Sequence, residues 1–289
     1  MKLQKPYSII ILTGAFFLSL FLHQCKMSIQ SIQPMGEVVS PSGNPITIDK
    51  IELGRKLFFD KQLSSDGTVS CANCHMPQFA FSDQKTFSHG VDGRKTQRNA
   101  PSILNAGYLP TVMYDGYIKT LELQVIVPIQ EHVEMDMNML DLLKRLKVNE
   151  EYQEAAKRIF NRDFDAFVLT RSISAFERSV ISQNSRFDQY MSGNKRALTK
   201  NEIAGWNLFS DVLYCTKCHP APSFTTYLPE NNGLYLDYGT DSGRFRIFND
   251  SNDIGKFKVP SLRNLELTFP YMHDGSLKNI EEVIQHYQS

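Results

Sequence analysis

The chain has 289 residues, enough for two domains of ordinary size. Its 31 Lys and Arg residues balance 31 Asp and Glu, so charge gives no reason to expect nucleic acid or an anionic membrane surface as a partner. Four of its five cysteines fall in two Cys-x-x-Cys-His motifs and only Cys25 is left over, so a structural disulfide would have to break a motif.

Lys2 and Lys5 precede an apolar run from Ser8 to Leu22 that is short for a transmembrane helix, the layout of an export signal over residues 1–25. The run ends at Leu22-His23-Gln24-Cys25, which makes Cys25 a candidate lipid-anchor site. Gln24 stands where a small residue is usual, and cleavage of an ordinary signal peptide is the alternative. Residues 26–48 are polar, rich in Ser and Pro, and lack apolar periodicity, which predicts a flexible tether. From Asp49 an apolar stripe of Ile51, Leu53, Leu57 and Phe58 predicts a helix.

The helix leads to Cys71-Ala-Asn-Cys74-His75. Thiols three positions apart lie close on one helical turn, so both can add to the two vinyl groups of a haem, and the next histidine can reach the iron. Zinc or a redox dithiol also uses a Cys pair of this spacing, but neither needs a histidine at position 75. Residues 77–116, with many Gly, Ser and Asp, predict loops wrapped around a cofactor. Helical patterns then run over 121–127, 138–160 and 164–182. Thr199 with Glu202 three residues on predicts a capped helix leading to a second motif, Cys215-Thr-Lys-Cys218-His219. Two such motifs point to two covalently bound c-type haems, which are attached outside the bacterial cytoplasm. Few stretches alternate like strands, so the fold class is mainly α.

Internal repetition organises the chain. Ala100-Pro-Ser-Ile-Leu-Asn105 resembles Val259-Pro-Ser-Leu-Arg-Asn264, and Met113-Tyr-Asp-Gly116 matches Met272-His-Asp-Gly275, at one offset of 159 residues. Gly54-Arg-Lys-Leu-Phe58 likewise matches Gly205-Trp-Asn-Leu-Phe209, each ahead of a haem motif. The pattern predicts duplication of a single-haem helical domain: an N-terminal haem domain over 49–195 and a C-terminal one over 196–289.

These segments, together with Phe187-Asp-Gln-Tyr-Met-Ser-Gly193, resemble the bacterial di-haem cytochrome c peroxidase and MauG superfamily from about Ile51 to Tyr287. The resemblance implies two cytochrome c-like domains, a peroxide-reacting N-terminal haem, an electron-transfer C-terminal haem and a calcium ion between them. It makes His75 and His219 the proximal iron ligands. Gln124, Pro128, Glu134 and Met135 match the family's peroxide side, where one carboxyl takes a proton from H2O2 and returns it to the departing oxygen. The competing reading of Glu134 is one more acid in a stretch with Glu131 and Asp136, and His132 reads as solvated. His89 matches a loop histidine that ligates haem 1 in resting peroxidases, with a solvent-facing histidine as the alternative.

Tyr287 falls at the distal-ligand position of haem 2, where the peroxidases carry methionine and MauG tyrosine; Met272 and His273 compete for that role. Asn99, Thr268 and Pro270 match the family's calcium ligands. Two departures stand out. Tyr114 occupies the place of an inter-haem tryptophan relay, and Leu213 the place of a MauG tryptophan that passes oxidising equivalents to a protein substrate. The family also continues through a further loop and helix where this chain ends at Ser289.

The functional expectation is a periplasmic peroxidase, free or lipid-anchored, that reduces H2O2 at haem 1 with electrons from a small cytochrome c or cupredoxin, with a homodimer as a candidate assembly. A MauG-like enzyme oxidising side chains of a partner protein is the first alternative. A non-enzymatic di-haem electron carrier is the second.

Overall fold

A computed structural model describes residues 35–288; the export signal and Cys25 lie outside the described residues. The fold is mainly helical, with a single two-residue antiparallel ladder, Pro229–Glu230 against Phe257–Lys258, among the described residues. No helix among those residues is long and apolar enough to cross a membrane.

The first helix, Ile48–Phe58, starts where the Thr47 hydroxyl accepts from the Lys50 N–H, with Asp49 favourably placed in the first turn. Its Leu53, Leu57 and Phe58 are buried against the Ala166–Ser179 helix, which Asp165 caps. Gly54 permits the close approach, because a Cβ there would overlap the Ser172 carbonyl oxygen. Leu142, Leu146, Tyr152, Phe164 and Leu169 complete a continuous core around this pair.

Two expected helices are divided. The pattern over 138–160 gives Met139–Lys147 and Glu150–Phe160, because the Asn149 side chain caps the Tyr152 N–H at 3.2 Å and starts a new helix. The pattern over 121–127 gives Leu121–Gln124 and Ile126–Gln130. Pro128 has no N–H to bond the Gln124 carbonyl, which weakens continuity there. The helix expected over 164–182 spans Ala166–Ser179.

The tether expected over 26–48 is mostly exposed in its described part but is anchored at a few points. Asn44 is 2% exposed and donates to Glu122 Oε1, the Arg171 carbonyl and Ser174 Oγ at 2.8, 3.0 and 3.1 Å. Upstream, the Tyr108 hydroxyl donates to the Gly36 carbonyl at 2.6 Å. Sequence composition signalled a loop, and buried polar pairing fixes that loop to the helices.

Beyond Met191, proline and glycine aside, the described chain contributes one residue, Val259, to the buried apolar set. Its regular elements are few: Lys200–Asn207, which runs on as a π-helical turn over Leu208–Val212, then Phe245–Phe248 and Ile280–His286, with Arg186–Met191 just before this region. The Thr199–Glu202 capping box forms as expected, with Glu202 Oε2 accepting from the Thr199 N–H at 2.7 Å. The sequence repeat recurs as backbone geometry. Val112 bridges Ile118 as Tyr271 bridges Leu277, and the left-handed φ values of Asn105, Met113 and Gly116 (63°, 68°, 61°) reappear at Asn264, Met272 and Gly275 (59°, 72°, 63°).

Candidate functional site

The first motif forms a single helical turn, Cys71–Cys74, opened by Ser70, whose N–H donates to the Asn73 side chain at 3.0 Å. His75 follows with Nδ1 at 3.1 Å from the Phe81 carbonyl oxygen. Beside a carbonyl that nitrogen carries the proton, so Nε2 keeps its lone pair for a metal. Burial lowers the His75 pKa and keeps the ring neutral, while the Phe81 and Pro101 carbonyls oppose that shift. Burial also pushes both thiols up, Cys74 to about 11, which disfavours the free thiolate that a redox dithiol uses.

These three side chains line one cavity with apolar walls from Phe58, Val69, Val125, Met135 and Ile173. Gln124, Pro128 and Glu134 line the same space. The Met135 N–H donates to the Pro128 carbonyl at 3.2 Å, which joins the Gln124 segment to the Glu134 segment. Glu134 is further fixed by its own carbonyl, which accepts from the Val91 N–H at 2.8 Å. A Cβ on Gly90 would overlap the Val133 and Glu134 carbonyl oxygens, so only glycine allows this approach. Burial raises the Glu134 carboxyl to about 7, with Glu131 adding to the rise. A cavity with apolar walls, two thiols, a neutral imidazole and a few polar side chains suits a porphyrin attached through Cys71 and Cys74.

His132 is exposed and engaged with Asp136 and Arg94, as a solvated histidine would be. His89 is exposed, bridges Lys95 and does not line the cavity; its neighbour Gly90 does.

At the second motif, His219 Nδ1 lies 2.9 Å from the Phe224 carbonyl, and the Pro260 carbonyl acts on it as Pro101 does on His75. Pro101 and Pro260 are equivalent positions of the repeat, so each copy brings its proline to its own histidine. Phe187, Trp206, Phe209 and Phe224 cluster beside the motif. Most of the exposed large apolar side chains, Leu208, Val212 and Leu213 among them, belong to this half. A half with almost no apolar core and many uncovered apolar side chains fits a fold completed by a large apolar cofactor. Tyr287 caps the last described helix, is 60% exposed and packs on His286. Of its competitors, Met272 Sδ lies 3.2 Å from Asn232 Nδ2, and His273 is buried and stacked on Phe257 at 3.8 Å.

Asn99, Tyr114 and Pro270 come together. The Tyr114 hydroxyl donates to Asn99 Oδ1, and Asn99 Nδ2 donates to the Pro270 carbonyl at 2.8 Å. The Thr268 hydroxyl donates to the Leu265 carbonyl at 3.3 Å, and it is the Thr268 backbone carbonyl, not this hydroxyl, that matches the family's calcium ligand. Burial raises the Tyr114 phenol, with Arg98 opposing. The sequence did not single out Arg98, which pairs with Asp115 and Asp241, or Glu177, which lines the cavity.

A family model described as di-haem cytochrome c peroxidase matches residues 48–196. The methylamine utilization protein MauG of Methylophilus methylotrophus is 33% identical over 257 residues, 87% of this chain and 76% of that protein. The cytochrome c551 peroxidase of Nitrosomonas europaea is 33% identical over 260 residues, 89% of this chain and 76% of that protein. The solved structure of a MauG-like protein associated with microbial copper homeostasis is similar with a TM-score of 0.81 at 34% identity, covering 87% of this chain and 79% of that one. The chain therefore belongs to the di-haem cytochrome c peroxidase and MauG family of oxidoreductases.

Proposed function

We propose that the protein is an exported di-haem peroxidase that reduces H2O2 to water at a haem held by Cys71, Cys74 and His75. Electrons would enter from a small cytochrome c or cupredoxin at a second haem held by Cys215, Cys218 and His219. The observation that carries this reading is the shared cavity of His75, Gln124 and Glu134. The repeat supports two duplicated haem domains, and the layout of residues 1–25 supports export.

The haem, when bound, supplies the electrons that cleave the O–O bond. Glu134 is close to half ionised at neutral pH, so it can accept a proton from one peroxide oxygen and return it to the other. Gln124 offers an amide to orient the peroxide, and the buried walls limit competing water. Tyr114 is the candidate relay between haems, with its hydroxyl held by a hydrogen bond to Asn99 Oδ1. Asn99, Pro270 and Thr268 remain the candidate calcium ligands, Tyr287 the candidate distal ligand of haem 2, and His89 a candidate gate that would have to swing in from the surface.

A MauG-like activity is the second reading, favoured by Tyr287 and by the similarity to two MauG-type proteins. Leu213 speaks against it, since leucine cannot relay oxidising equivalents. Steady-state turnover of H2O2 with a reduced small cytochrome tests the choice: brisk turnover supports the peroxidase, and a long-lived two-electron-oxidised state supports the alternative.

A further inference from the structure

Glu177 lies on the buried face of the Ala166–Ser179 helix, 5% exposed, and lines the cavity shared by His75, Gln124 and Glu134. Its Oε2 has no hydrogen-bond partner. The adjacent cation is committed elsewhere, because Arg178 Nη1 and Nη2 both donate to Glu122, at 2.6 and 2.8 Å. With Oε2 unpartnered and the adjacent guanidinium bonded to Glu122, the Glu177 carboxyl is open to the charge the cavity holds. Burial is the largest influence on it and pushes its carboxyl up to about 8. Arg178 favours its ionised form and Glu122 opposes it, while Glu134, Cys71, Cys74 and His75 line the same cavity.

We infer that Glu177 is a redox-linked proton site: where its carboxyl is ionised, a solvent proton binds a carboxylate oxygen as an electron enters the haem in this cavity, and it leaves when the electron leaves. An added electron makes the cavity one unit more negative, which raises the carboxyl's proton affinity; by linkage, a bound proton favours the electron equally. The inference rests on the reading that Cys71, Cys74 and His75 hold a haem, and it extends the proposed chemistry. Reducing one H2O2 to two waters consumes two electrons and two protons. Glu134 only moves a proton from one peroxide oxygen to the other, so both consumed protons come from elsewhere, and Glu177 brings one in with its electron.

The test is spectroelectrochemical titration of haem 1 in the full-length holoprotein at a series of pH values. In an E134Q background the potential should still fall as pH rises through the Glu177 range, by up to about 59 mV per tenfold change in proton concentration. Adding E177Q should flatten that segment, and E177D should restore it at a shifted pH. An unchanged slope in E134Q/E177Q overturns the inference. If E177Q does not take up haem, the wild type decides: its redox-difference infrared spectrum should show a D2O-sensitive carboxylic C=O band, and absence of that band overturns the inference. No readout uses peroxide, so a protein that fails to turn over peroxide but keeps the slope refutes the peroxidase reading alone.

Discussion

The Lys258 N–H donates to the Tyr114 carbonyl at 2.7 Å, and the Asn99 N–H donates to the His273 carbonyl at 3.2 Å. At the repeat's offset of 159 residues, Asn99 corresponds to Lys258 and Tyr114 to His273, so the two bonds join corresponding positions of the repeated segments reciprocally. Arg98 sits over this exchange, 5.1 Å from the Phe257 ring, and pairs with Asp115 and Asp241. Asp115 is almost fully buried but also pairs with Arg246 at 2.9 Å, so Arg98→Ala should lower stability by about 1.5–3 kcal/mol, the usual worth of a hydrogen bond to a charged group, rather than the larger loss of a charge left unpaired. Denaturant unfolding of the holoprotein measures it; a loss under about 1 kcal/mol would mean the pair is effectively solvent-screened.

Gly90 sets the distance between the His89 loop and the Glu134 turn. Gly90→Ala should destabilise the fold by about 1–3 kcal/mol through overpacking against two carbonyl oxygens. It should also displace Glu134 and slow the reaction with peroxide, whereas an alanine at the exposed Leu213 should do neither. Thermal unfolding and stopped-flow mixing with H2O2 check the two effects together.

Glu134→Gln should keep the haem spectra and lower kcat/KM for H2O2 by about 10²–10⁴, the usual contribution of a positioned acid–base group. The first proton transfer needs the carboxylate, so the wild-type rate should rise as pH increases through about 7 and level off above it. The variant should lose that rise. A variant with the wild-type pH profile would move the proton-transfer role to another residue.

Burial alone would raise the Glu122 carboxyl, but hydrogen bonds from Arg178 and Asn44 outweigh it and lower the group from 4.5 to about 2. A depressed folded pKa contributes stability that is fully present above about 4.5 and is lost as pH falls toward about 2. Acid unfolding should therefore steepen across that window in the wild type. Glu122→Gln should flatten it while lowering stability at neutral pH, because Arg178 is left buried without its anion.

The motifs were legible because their chemistry is local: two cysteines and a histidine within five positions, or Thr199 and Glu202 within one turn. The repeat was legible because both copies retain the same turn residues, and those turns carry matching φ values. Three features were hidden. Asn149 looks like any polar residue in a helical pattern, yet its side chain breaks the helix. Asn44 sits in a stretch whose composition signals a loop, and the three groups its amide donates to are 78 to 130 residues away in sequence. Glu177 follows Phe176 on an amphipathic helix, where a lone acid carries no mark of facing inward; only the packing around the Cys71 turn reveals the cavity it lines.

The most direct test is the reaction of purified holoprotein with H2O2 after its second haem has been reduced, followed by absorbance and by consumption of a reduced small cytochrome. Catalytic turnover is expected, with two cytochrome electrons consumed per peroxide and no long-lived oxidised state. Two six-coordinate haems that remain inert to peroxide after pre-reduction would contradict the peroxidase reading and leave an electron carrier.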